Sequence, residues 1–246
     1  MPRLFVPTEN LAGGQVTLEG EPHRYLTRVL RFGAGARVDL FDGRGLEVAA
    51  TILRAGSKGV TLELGERRRV TPRPTPPVTL LQGLPRSERM DLVIQKATEL
   101  GATRVVPVRA ARSAMGQQAR DDRWTKIAQE AARQCGRADS LILSSVVPLD
   151  EAIASLKART TRIVPWEEAP NARPVGRALP PASDDSAEIS GVDVLIGPEG
   201  GLTAEEVAVA RAAGFEVVTL GPRILRTETA AIAALAIIQD HLGALG

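Results

Sequence analysis

From Val78 onward, short aliphatic or β-branched runs alternate with segments of helical spacing, and this alternation restricts the chain more than any other feature of its sequence. The strand-like pieces lie at 78–82, 104–108, 141–146, 162–164, 192–196 and 216–220, and the helix-like pieces at 87–100, 121–135, 149–156, 203–213 and from 228 to the end. Parallel strands cannot be joined by tight hairpins; they need a crossover, and a helix is the usual one. The pattern predicts an α/β fold, a parallel sheet covered by helices, without internal repeats.

The chain before Val78 has a different texture. Residues 3–6, 15–18, 37–41, 46–53 and 60–64 are short alternating segments separated by glycine-bearing turns, which predicts a small β-barrel or sandwich. Between them, residues 21–30 carry Pro22 at a first helical position and set Leu26, Val29 and Leu30 on one face. The opposite side offers His23, Arg24, Arg28 and Arg31, either a solvated face or a contact with an RNA backbone. The stretch 67–77 concentrates arginine and proline, which reads as a stiff, extended connection. A boundary there gives domains at 1–71 and 72–246.

In open α/β sheets, ligands sit beyond the carboxyl ends of the strands, so the loops that follow strands carry the information. Three stand out: Pro165-Trp166-Glu167; Gly197-Pro198-Glu199-Gly200-Gly201; and Gly221-Pro222-Arg223-Ile224-Leu225-Arg226. The second leads into Thr203 and Glu206, a Thr-x-x-Glu capping box, and its glycines permit close backbone approach. In the third, two permanent cations stand three residues apart, and Thr227 is expected to cap a helix opened by Glu228. Free N–H groups at such a helix start suit a polar or anionic ligand, although simple capping accounts for the same residues. Residues 230–238 are then nine consecutive apolar residues, far short of the roughly 20 that cross a bilayer. They predict a helix buried on nearly every face, by its own domain or by a second subunit. No Gly-x-Gly-x-x-Gly opens a helix after a strand and no P-loop occurs, which removes the usual dinucleotide and nucleotide folds.

A hydrophobic fraction of 43% in 246 residues is ample for a packed core, and no segment suggests a membrane partner. Cys135 stands alone, and no Cys/His cluster has zinc-ligand spacing, so neither a disulfide scaffold nor a metal is expected. A basic segment followed by a long apolar one does not occur at the start, which predicts a cytoplasmic protein. Net charge is only +2, but residues 86–137 hold eleven Lys and Arg against six Asp and Glu, a local excess that can meet phosphate.

Ile196-Gly-Pro-Glu-Gly-Gly201, paired with Leu220-Gly-Pro-Arg-Ile-Leu-Arg-Thr-Glu-Thr-Ala230, resembles the RsmE-type 16S ribosomal RNA uracil-N(3)-methyltransferases of the SPOUT superfamily. The resemblance extends to 95–101, Arg112-Ser113, 130–137, 3–6 and 23–31, and so spans nearly the whole chain. It implies an N-terminal PUA-like β-barrel domain that binds RNA and a SPOUT-type methyltransferase domain whose parallel sheet ends in a trefoil knot. It also implies S-adenosylmethionine as methyl donor, 16S rRNA of the small ribosomal subunit as partner, and a homodimer.

Carried over by position, the resemblance implies a cofactor site at Pro165, Trp166, Gly197, Glu199, Gly201, Leu220, Gly221, Ile224, Leu225 and Thr227. RNA contacts are expected at Arg3, His23, Arg24, Arg28, Arg31 and Arg112. N3 of uracil carries an imide proton, so transfer to it needs an acceptor for that proton and cations for charge spreading onto the two carbonyl oxygens. Arg226 and Arg223 are the candidate cations, and Glu199 or Glu228 the candidate base. Methylation at uracil C5 commonly uses a thiol nucleophile; Cys135 is read instead as a small buried side chain. The alternatives are ribose 2′-O-methylation and a non-catalytic RNA-binding or ribosome-assembly factor.

Overall fold

The computed structural model describes residues 1–70, 75–86, 88–113, 121–180 and 190–245. Its chain divides into two compact units, Met1–Pro72 with Ala132–Ser140, and Arg73–Ala131 with Leu141–Gly246. Among the described residues no helix is long and apolar enough to cross a membrane.

The first unit contains β1 (Arg3–Phe5), β2 (Gln15–Glu19), α1 (Gly20–Arg24), β3 (Arg37–Phe41), β4 (Leu46–Ala55) and β5 (Gly59–Arg69). They form one sheet in the order β1-β3-β4-β5-β2, antiparallel except for β1 beside β3. Alternation explains its core: Val16 and Leu18, Val48, Ala50 and Ile52, and Val60, Leu62 and Leu64 all turn the same way and are buried together. The expected single helix is instead α1 running into a π-helical turn, Tyr25–Val29, which drops Leu26 fully into that core. His23 is buried as well, its Nε2 3.0 Å from the Gly56 carbonyl oxygen, so it leaves the exposed face formed by Arg24, Arg28 and Arg31.

Arg3 is likewise committed internally. It pairs with Glu47, and its guanidinium lies 4.9 Å from the centroid of the Phe41 ring. The arginines at 67–69 belong to β5 and not to a linker, because Arg67, Arg68 and Arg69 register with Val48, Glu47 and Leu46, and Arg68 also donates to the Glu47 carboxylate at 2.5 Å. Residues 71–74, the middle of the expected linker, lie outside the described residues. The segment 132–140 joins this unit through backbone bonds from Gly45 N to Ala138 O (3.0 Å) and from Ser140 N to Gly43 O (2.7 Å). Cys135, in this segment, is exposed rather than buried.

The second unit is the expected parallel sheet. Its strands are β6 (Val78–Gly83), β7 (Arg104–Arg109), β8 (Ile142–Leu143), β9 (Val147–Pro148), β10 (Thr161–Pro165), β11 (Arg173–Pro174), β12 (Val192–Ile196) and β13 (Glu216–Thr219). The order is β11-β13-β10-β12-β6-β7-β8, all pairs parallel, with β9 also on β7. The single strand expected at 141–146 is the broken pair β8 and β9.

The helices are α2 (Arg89–Glu99), α3 (Asp121–Cys135), α4 (Leu149–Ala154), α5 (Val175–Ala178), α6 (Ala204–Ala212) and α7 (Thr227–His241). Every residue of β12 is buried, as a strand covered on both faces requires. Leu80, Ile163 and Val194 pack with Ile94 of α2 and Leu235 of α7, while Leu81, Val164 and Leu195 pack with Ala152 of α4 and Val207 of α6. Each fully buried Leu, Ile or Val side chain among them contributes about 1.5–3 kcal/mol.

Two helix starts can be compared with expectation. Thr203 caps α6 in a complete capping box with Glu206. Thr227 does not cap α7; it is the first helical residue, Arg226 is the N-cap, and no side chain supplies the cap bond. Within the one chain the apolar run in α7 buries a stripe of Ala231, Ala234, Leu235 and Ile238, and Ile237 is 38% exposed.

Candidate active site

β13, β10, β12 and β6 are neighbours in the sheet and parallel, so their carboxyl ends share one edge. The three glycine- and proline-bearing loops singled out from the sequence leave three of these strands, and they enclose a cavity of about 310 Å³. Pro165 and Trp166 line it from the first loop, Gly197, Glu199 and Gly201 from the second, and Leu220, Gly221, Ile224, Leu225 and Thr227 from the third. All ten residues expected at a cofactor site therefore border one space. Arg223 and Arg226 line it too, whereas Glu228 is not part of its wall.

The loops are locked together by specific contacts. Gly201 has φ +71, a left-handed backbone that favours glycine, and a Cβ there would also meet the end of the exposed Glu167 side chain from loop 165–167. The Thr227 hydroxyl donates to the Gly197 carbonyl at 2.6 Å and accepts from Gln82 Nε2 at 2.8 Å. That amide also donates to its neighbour's carbonyl, Gly83 O, at 2.9 Å. One threonine thus ties the end of β6, the loop after β12 and the start of α7.

The walls differ in chemistry. Ile224 is 85% exposed although apolar, and it stands with Leu220 and Leu225 on the cavity border. Arg223 and Arg226 are exposed, and neither side chain has a hydrogen bond or ion pair among the described residues. Glu199 is held: its Oε1 accepts from the Arg86 backbone N–H at 2.7 Å and from Arg89 Nη1 at 2.9 Å. Arg89 Nε also approaches Glu228 Oε1 at 3.9 Å. Three buried polar atoms in or beside these loops have no hydrogen-bond partner among the described residues, Trp166 Nε1, Gln82 Oε1 and Glu228 Oε2. Among the described residues no group of three or more His, Cys, Asp or Glu could hold a metal ion.

Sequence reasoning missed Gln82 and Arg89, and it placed Glu167 in a strand-end loop without giving it a role. The first two flank the carboxyl end of β6, a fourth strand end on the same edge; applying the strand-end rule to residues 82–89 would have found them. The residues expected to contact RNA separate. Arg3, His23, Arg24, Arg28 and Arg31 lie in the first unit, and Arg112 lies in the second, where its Nη1 donates to Gly200 O at 2.9 Å.

The second unit coincides with a known family. Residues 71–239 match the model of an RNA methyltransferase domain, and residues 18–65 match that of an RNA methyltransferase PUA domain. The chain belongs to this RNA methyltransferase family.

Its relatives in the family include the ribosomal RNA small subunit methyltransferase E of Mycobacterium bovis, 34% identical over 94% of this chain and 88% of that protein. The protein of the same description from Bacillus subtilis is 29% identical over 91% and 89%. Among solved structures, the ribosomal RNA small subunit methyltransferase E of Neisseria gonorrhoeae, bound to S-adenosyl methionine, has a TM-score of 0.82 at 31% identity and covers 98% of this chain and 97% of its own. The α/β methyltransferase fold with an amino-terminal PUA domain is thus that of the family.

Proposed function

We propose that this chain transfers a methyl group from S-adenosylmethionine to N3 of a uridine in 16S ribosomal RNA of the small subunit. The observation that carries the reading is the cavity at the sheet edge, whose wall combines apolar side chains with two guanidinium groups that have no partner among the described residues. Its residues fit the cofactor. Leu220, Ile224 and Leu225 suit an adenine, the backbone at 197–201 comes close because Gly201 lacks a side chain, and the Trp166 indole N–H is a buried donor in need of an acceptor. Bound there, S-adenosylmethionine supplies a methyl group activated by its sulfonium.

The chain's own residues must then orient the acceptor and manage one proton. Placing nucleophile and methyl in line accounts for most of the barrier reduction available to such a site. As the imide proton leaves N3, negative charge spreads onto the uracil oxygens, and Arg226 and Arg223 are free to donate to them. Glu199 is the better base of the two carboxylates. It lines the cavity, one of its oxygens is pinned by Arg86 N–H and Arg89, and the other has no hydrogen bond among the described residues. Glu228 lies outside the wall and balances the charge of Arg89.

The same reading gives the first unit the task of holding RNA through exposed Arg24, Arg28 and Arg31. It includes a cytoplasmic setting, a trefoil thread at the carboxyl end and a homodimer formed on the solvent side of α7, with a mass of two chains expected in light scattering. The deciding experiment incubates the protein with labelled S-adenosylmethionine and either naked 16S rRNA or whole small subunits, followed by nucleoside mass analysis. Labelled 3-methyluridine is expected; label on ribose, or no label on either substrate, overturns the reading.

A further inference from the structure

A second cavity, of about 630 Å³, borders the first and shares two of its residues; it is lined by Arg86, Arg89, Arg112, Glu199 and Gly200. Three guanidinium groups and one carboxylate line it, and among the described residues no apolar side chain contributes to the wall. That composition is unsuited to a base or an adenine, and it suits an anion. We infer that this cavity seats a phosphodiester of the RNA strand next to the methylated nucleotide. The inference rests on the methyltransferase reading above and adds to it the place where the acceptor strand is gripped.

Four observations support it. Arg86 is exposed, and its guanidinium has no partner among the described residues. Arg112 uses Nη1 for the Gly200 carbonyl, which leaves the other edge of its fork for a ligand. Gly200 favours that arrangement: a Cβ on it would stand 3.0 Å from Arg112 Cβ, tighter than ordinary contact, although its φ is not positive, so the glycine gives the arginine stem room beside the loop.

Finally, Glu199 Oε1 takes a backbone N–H and a guanidinium N–H, from Arg86 and Arg89. This is the donor pair with which proteins commonly hold a phosphate oxygen. The carboxylate therefore occupies an anion site built into the chain. A phosphodiester arriving between Arg86 and Arg112 shares Arg89 with it and brings the strand to the carboxylate and the cations of the first cavity.

The test compares the wild type with Arg86→Gln, Arg112→Gln and the double variant, and with Arg86→Lys/Arg112→Lys, which keeps the charge. RNA affinity is measured against potassium chloride with transcribed 16S rRNA and with isolated small subunits, S-adenosylmethionine affinity by calorimetry, and folding by circular dichroism. Each Gln substitution should weaken RNA binding about five- to twentyfold and flatten the slope of log K against log salt by about 0.7, the value for one single-strand phosphate contact. Cofactor affinity should stay unchanged, KM for RNA should rise more than kcat falls, and the double Lys variant should recover most of the salt slope.

A folded double Gln variant with the wild-type affinity and slope overturns the inference, and so does a loss of cofactor affinity, which would assign the cavity to the methyl donor. A wild-type protein that neither binds S-adenosylmethionine nor methylates RNA refutes the function itself, and the two failures are told apart by that control.

Discussion

Replacing Thr227 by valine should weaken both the fold and the methyl-donor site, and the structure gives the size of the effect. Valine keeps the shape and removes one hydroxyl. That hydroxyl now donates to Gly197 O at 2.6 Å and accepts from Gln82 Nε2 at 2.8 Å, and Thr227 and Gln82 are 5% and 0% exposed. The Thr227→Val substitution would strand one amide proton and one carbonyl oxygen. Each buried polar group left unmade costs about 1–3 kcal/mol, and Gln82 keeps its bond to Gly83 O, so the expected loss is about 2–4 kcal/mol in urea unfolding.

Gln82→Leu should cost less. It leaves the Thr227–Gly197 bond intact and also removes Gln82 Oε1, which has no partner among the described residues. In the double variant no amide is stranded, so its loss should fall short of the sum of the two single losses by at least about 1 kcal/mol. Calorimetry should show S-adenosylmethionine affinity about tenfold lower in Thr227→Val, because the Gly197 loop loses its tie to α7. Strict additivity within about 0.5 kcal/mol, or donor affinity unchanged in Thr227→Val, would refute the claim that this threonine joins the three elements.

Other outcomes follow from the same geometry. Arg226→Ala should lower single-turnover methylation at saturating RNA and cofactor by about 10²–10³, the usual loss for one donor to a developing oxyanion; a near-normal rate would remove its charge-stabilising role. Gly201→Ala, forced into left-handed backbone at a cost of about 1–2 kcal/mol and against Glu167, should weaken donor binding, whereas Gly200→Ala should weaken RNA binding instead; calorimetry against filter binding separates them. Burial pushes the Asp42 carboxyl up, but N–H donors from Arg44 and Leu46 and the Thr8 hydroxyl outweigh it and hold the group below its ordinary 3.8. Its stabilisation is therefore complete above the unfolded value and lost as pH falls through the folded one, so Asp42→Ala should be less stable than wild type at pH 7 with the gap closing below about pH 4 in paired urea titrations. Cys135→Ser should keep full activity in the same methylation assay, since its exposed thiol lies in the first unit and not on the cavity wall.

The legible parts of the sequence were those governed by local periodicity. β12 and α3 fall where the residue pattern sets them, 192–196 and 121–135, because each carries an uninterrupted strand or helix signal. Thr203 and Glu206 announced their capping box by spacing alone. The failures have a common cause, which is that a distant partner decides the outcome. Arg67–Arg69 read as a linker because arginine and proline resist order locally, yet Glu47 and the backbone of β4 draw them into the sheet. His23 read as one of a row of basic residues, and the Gly56 carbonyl draws it inward. Thr227 had the composition of a cap and serves instead as a rivet, a role that exists only once Gln82, 145 residues earlier in the chain, has been folded beside it.

The loop Gly197–Gly201 shows why a motif can be legible while its reasons are not. As sequence, its glycines announce only that backbone must come close to something. In the fold the two consecutive glycines answer to different neighbours: Gly201, at positive φ, stands against the Glu167 side chain beside the first cavity, and Gly200 stands against the Arg112 stem beside the second. Beside them stands Glu199, lining both spaces and tethered by Arg86 and Arg89 from the carboxyl end of β6. A loop with one glycine could serve one cavity. On the reading proposed above, two glycines directly after the carboxylate would let the chain set a methyl donor on one side, an RNA strand on the other, and a single proton acceptor where the two meet.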